Sequence, residues 1–216
     1  EDAQRSCLML LKQLLKTKPY VELSHMAGIL SIAKHSTGSE LNMFVEYGAV
    51  EDLRYDRFFG FTQDEVCELC ARHLACTPDA RVGYEGLEHW YDGYLTEDGE
   101  RRFNPRSVVL ALIDDSLRSC WTESGPYDEI HCYVRNNIAA VRDDLVRMAA
   151  GEPERAEMEN YAASSMSLST KDEIFSAMVV YGFLTYYDGC VSIPSHVLML
   201  KSRSCWPRRA WATSRA

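Results

Sequence analysis

Asp188-Gly189 stands between Leu184 and Tyr186 on one side and Val191 and Ile193 on the other. An Asp-Gly pair flanked by alternating apolar residues closes a two-residue hairpin, because both central positions must take positive φ. The stretch just before it has helical spacing at Ile174, Phe175, Met178 and Val179, and opens on Thr170 and Glu173. Those two residues make a T-x-x-E capping box, which fixes where the helix starts. A capped helix that runs at once into a two-stranded ribbon predicts a winged-helix-like segment over 161–200.

The same punctuation predicts helices upstream. Cys7, Leu10, Leu11 and Leu14 share a stripe over residues 3–16, with Leu8 and Leu15 beside it. Thr62 and Glu65 form another capping box ahead of Val66, Leu69 and Leu74. Asn104-Pro105 reads as an N-cap and N1 proline, with Val108, Val109, Leu112 and Ile113 as the buried stripe. Gly125-Pro126 opens a helix carrying Ile130, Tyr133 and Val134. Val141, Leu145, Met148 and Ala149 mark one that stops at Gly151-Glu152-Pro153. Strand evidence sits at the two ends: MAGILSIA (26–33) reads as a buried parallel strand and MFVEYGAV (43–50) as a second. The expected class is therefore mainly α with minor β.

Charge limits what such a chain can bind. It has 216 residues, with 23 Lys+Arg against 32 Asp+Glu, a net of −9. Residues 201–216 hold five basic and no acidic residues, which leaves −14 for the rest. An acidic body lacks the basic footprint that phosphate backbones require, so nucleic acid is not the expected partner. The wing helix itself starts Lys171-Asp172-Glu173 and the wing tip is Asp188, all unfavourable to DNA except the lysine. The 201–216 tail shows no periodicity and reads as a disordered basic arm or a frameshifted end. No run approaches the ~18 apolar residues of a membrane helix. Eight cysteines and no signal-peptide pattern point to free thiols and a cytoplasmic location.

Candidate chemistry is sparse. Cys67, Cys70, His73 and Cys76 supply four zinc-type ligands. Three of them lie in one predicted helix, whose positions rotate around the axis, and no second ligand pair follows, so zinc is rejected. Asp114-Asp115, Asp143-Asp144 and Asp128-Glu129 are adjacent acids that diverge by about 100° on a helix and read as solvated faces. Cys132 beside His131 is adjacency in sequence, which does not make a thiolate–imidazole pair. The sequence holds no G-x-S-x-G, G-x-x-x-x-G-K-[ST] or G-x-G-x-x-G. Trp90-Tyr91-Asp92-Gly93-Tyr94 reads as a structural turn with three aromatics.

Five stretches in order carry a resemblance. They are GILSIAKHSTGSELNMF (28–44), FFGFTQDEV (58–66), HWYDGY (89–94) with RFNPRSVV (102–109), CWTESGPYDEI (120–130) and TKDEIFSAMVVYGFLTY (170–186). Together they resemble the AAA-ATPase-like family, whose members typically join a P-loop ATPase to a PD-(D/E)XK nuclease-like domain. The likeness spans about residues 20–198.

It implies that residues 1–50 are the end of an ATPase core, 51–160 a helical lid-like region and 161–200 the winged segment. It further implies that the chain is a fragment, with the phosphate loop and Mg-binding strand upstream and the nuclease downstream in a longer parent. ATP and Mg²⁺ would then belong to that parent and no cofactor to this chain alone. The partners would be the missing ATPase core and nuclease domain. By the same resemblance the strand 26–33 presents Ser31, Lys34 and His35 toward nucleotide as sensor-like residues, with no catalytic residue assigned. The alternatives are a non-enzymatic acidic module that docks a protein, and a winged helix that binds nucleic acid.

Overall fold

The computed structural model describes residues 2–28, 43–45, 47, 54–55, 58–119, 141–158 and 170–205. Among the described residues the fold is mainly helical with two small antiparallel sheets. The chain divides into two compact units: Glu1–Tyr47 with Asn160–Ser167, and Gly48–Glu159 with Leu168–Ala216.

The first unit contains α1 (Asp2–Leu15). Its helical span agrees with the sequence, but its stripe is turned differently: Leu8 is buried, whereas Cys7, Leu10 and Leu14 are exposed. The strand expected at 43–50 is not seen at Met43, Phe44, Val45 or Tyr47. Val45 is 72% exposed, which no core strand residue would be. Residues 26–28 carry no strand either, and 29–33 lie outside the described residues.

The second unit is built on α2 (Gln63–Cys76), α3 (Tyr84–Tyr91) and α4 (Pro105–Ile113), with a hairpin of β1 (Asp92–Leu95) and β2 (Arg101–Phe103) between the last two. Thr62 caps α2 as its spacing predicts: its hydroxyl accepts the Glu65 N–H at 3.2 Å, and Glu65 Oε2 accepts the Thr62 N–H at 2.8 Å. Asn104 Oδ1 caps α4 by accepting the Ser107 N–H at 3.0 Å. Val66, Leu87, Tyr91, Phe103, Val108 and Leu112 meet in one core cluster. Each large apolar side chain so buried contributes about 1.5–3 kcal/mol. The α4 stripe is narrower than its sequence suggests, because Val109 and Ile113 face out and Ala111 packs in their place.

A helix over 141–149 (α5) follows, with Val141, Leu145, Met148 and Ala149 all buried and Gly151 at φ +94° just beyond it. Then come β3 (Glu154–Arg155), α6 (Lys171–Val180), β4 (Thr185–Tyr187), β5 (Cys190–Ser192) and α7 (His196–Cys205). Asp188 and Gly189 take φ +48° and +74°, the two positive values a primed turn needs. The capping box at Thr170 and Glu173 forms as expected. At the other end of α6, Gly182 sits at φ +76°, and the Phe183 and Gly182 N–H groups return to Met178 and Val179. That is a Schellman termination, and glycine is there because its φ is left-handed. Residues 201–205 continue α7, so the helix does not break after Leu200; the rest of the tail lies outside the described residues.

The three-stranded sheet has the order β3-β5-β4. A polar network ties its elements together. Asp144 on α5 pairs with Arg147 at 2.5 Å and with Lys171 of α6 at 2.7 Å, while Arg147 also reaches Glu154 of β3 at 2.6 Å. No described helix is long and apolar enough to cross a membrane.

Candidate functional site

An open cleft of about 420 Å³ lies between α3, the β5–α7 connection and the first turn of α7. Glu85, Glu88, His89, Asp92, Arg101 and His196 supply its polar lining. Helical spacing places Glu85, Glu88 and His89 on neighbouring positions of α3. Asp92 ends that helix and begins β1, and Arg101 stands nearby on β2.

The opposite wall arrives from a hundred residues away. Gly93 has φ +125° and lies against the Pro194 backbone, which brings the start of α7 onto the end of α3. Ser195 is buried and receives the Leu198 N–H on its hydroxyl at 3.5 Å, opening α7. His196 then packs against His89 with ring centroids 4.6 Å apart and planes tilted by 33°, and makes a T-shaped contact with Trp90 at 5.5 Å.

Asp92 is the most constrained group there. Its side chain is 5% exposed. Oδ2 accepts one N–H of Arg101 at 3.3 Å, while Oδ1 is buried with no hydrogen-bond partner. Burial is the largest influence on its carboxyl and raises its pKa above the usual range; Arg101 and the Gly93 amide pull the other way, and Glu88 adds to the rise. Glu88 has one oxygen engaged, accepting the Tyr84 hydroxyl at 3.0 Å. Burial, with help from that bond, pushes the Tyr84 phenol up to about 12.

The residues singled out in the sequence fall elsewhere. Ser31, Lys34 and His35 lie outside the described residues, as do Asp128, Glu129, His131 and Cys132. Cys67 and Cys76 are exposed, whereas Cys70 is in the core, where burial raises its thiol pKa. His73 Nε2 is buried without a partner. Among the described residues no group of three or more His, Cys, Asp or Glu side chains converges as a metal site.

The acidic pairs serve the frame. Asp114 binds Arg118, Asp144 joins α5 to α6, and Asp115 accepts the Arg81 and Val82 N–H groups at 2.7 and 2.8 Å. Trp90 to Tyr94 is a helix-to-strand junction, not a free turn: Tyr91 and Tyr94 reach the carbonyls of Arg118 and Gly182, both at 2.8 Å.

Sequence reasoning missed the cleft. An aspartate between aromatics at 92 was the one available signal; nothing local pairs His89 with His196. No family model, curated protein or solved structure matches this chain.

Proposed function

We propose that this chain is part of an AAA-ATPase-like protein, in which residues 51–160 act as a lid-like region and 161–200 as a winged segment. The parent would bind and hydrolyse ATP with Mg²⁺ and use that cycle to move these elements and to regulate a fused nuclease. The carrying observation is the strand order β3-β5-β4, in which β3 (Glu154–Arg155) lies before residue 161, so the winged segment takes its third strand from the end of the 51–160 region. A strand between two helices that adds to the second strand of a later hairpin is the arrangement a winged helix requires.

The motifs of the resemblance give further support. Phe61 exchanges backbone hydrogen bonds with Phe103, at 3.1 and 2.9 Å, just before α2. Residues 89–94 turn α3 into β1, and Asn104-Pro105 opens α4. These stretches therefore build joints of the frame, as expected of motifs shared by a family for architecture. The acidic start of α6 favours a protein-facing or intramolecular wing over one on DNA: Asp172 accepts the Glu157 N–H of the same chain at 3.1 Å.

Reading the encoding locus on both sides in three frames tests this. A phosphate-loop motif G-x-x-x-x-G-K-[ST] upstream and nuclease carboxylates downstream are expected. A start codon near Glu1, a stop after Ala216 and neither motif nearby would sink the proposal.

A further inference from the structure

We infer that the cleft between α3 and α7 binds a guanidinium-bearing ligand, with Asp92 as its anchoring carboxylate. This does not depend on the ATPase-like reading. Asp92 already shows which chemistry it accepts. Its partner is a guanidinium, held by one contact at 3.3 Å from an arginine whose side chain is 70% exposed. Such a contact is weak, and it leaves Oδ1 without a donor. A guanidinium fork presents two parallel N–H groups that match both oxygens of a carboxylate. Oδ1 is buried in this conformer, so bidentate binding requires the carboxylate to rotate about its broad terminal torsion as the ligand enters. A ligand entering there takes the place of Arg101.

The rest of the cleft suits the same group. Glu85 and Glu88 make its α3 wall acidic, and Glu88 keeps one oxygen beyond its bond with Tyr84. The His89 and His196 rings, tilted 33° to one another, and Trp90, edge-on to His196, offer aromatic surface on which a planar cation packs. A volume of about 420 Å³ is that of a small-ligand site.

The test is a titration with methylguanidinium, read by NMR shifts of the Gly93 amide and the His89 and His196 imidazoles. Parallel arms use free arginine and acetyl-Ala-Arg-Ala-amide. Saturable shifts at these residues are expected. Arg101→Ala should bind several-fold tighter, because the competing arm is gone. Asp92→Asn should bind at least ~10-fold weaker, as loss of a charge-assisted bond predicts. Glu88→Gln, a surface change that leaves the core intact, should weaken binding several-fold. Preference for the peptide would identify a protein side chain as ligand, and preference for arginine a free amino compound. Absence of saturable shifts in both the parent chain and Arg101→Ala would overturn the inference. So would unchanged affinity in a folded Asp92→Asn, or equal binding of tetramethylammonium, which has no N–H donor.

Discussion

Gly93 and Pro194 are in backbone contact: a Cβ at Gly93 would stand 1.7 Å from the Pro194 carbonyl oxygen. No side chain fits in that gap, and the φ of +125° at Gly93 excludes one independently. This contact seats the start of α7 beside the end of α3 and so makes the cleft. Gly93→Ala should therefore cost about 3 kcal/mol or more, from left-handed strain and overpacking together. Thermal unfolding by circular dichroism checks it. A variant as stable as the parent would show that α7 is not seated there.

Asp92 predicts a pH effect of known sign. Its folded pKa is raised, so its contribution to stability is fully present below the ordinary aspartate value of about 4 and is lost as pH rises through the folded pKa. Asp92→Asn should then be at least as stable as the parent at pH 7, and the gap should narrow toward pH 3. Melting curves across pH 3–8 measure this. A parent chain that gains over the variant as pH rises would contradict the assigned burial effect.

Asp115 predicts the opposite slope. Hydrogen bonds from the Val82 amide first, then from Arg81, hold its carboxyl below the usual range. Its stabilisation is present above about pH 4 and is lost as pH falls through the lowered folded value. Asp115→Asn should lower the melting temperature at pH 7, and the difference should shrink on acidification. An equal loss at pH 7 and pH 3 would mean that the side chain matters only by shape.

Thr170→Ala removes the hydroxyl that accepts the Glu173 N–H at 3.1 Å. It should destabilise the second unit by about 1 kcal/mol. In urea the midpoint should fall with the slope unchanged. A change in slope instead would indicate that α6 frays rather than merely losing its cap.

Tyr94→Phe deletes the hydroxyl donated to the Gly182 carbonyl at 2.8 Å, a bond that spans from β1 to the end of α6. The expected cost is about 1 kcal/mol. Exchange protection should fall at the Leu95 amide, which donates to Thr185 Oγ1 at 2.8 Å beside it. Unaltered exchange there would show that the two sheets are not coupled through Tyr94.

Local chemistry was readable in the sequence alone. Thr62, Asn104 and Thr170 announced three helix starts, and Asp188-Gly189 announced a hairpin, because caps and primed turns are satisfied within a few residues. The buried face of α5 was equally plain from its spacing. What needed the tertiary structure was everything decided between distant segments. Which side of α4 is covered depends on what packs against it, so Val109 and Ile113 could not be told from Val108 and Leu112 by periodicity. The pairing of β3 with β5 joins residues some 35 positions apart, through only two paired positions, Glu154 with Val191 and Arg155 with Cys190. Gly93 admits Pro194, and with that approach the fold sets His89 against His196 beside the buried Asp92. Caps and turns are bonds a chain makes with its own neighbours; packing is a bond with whatever the fold brings alongside.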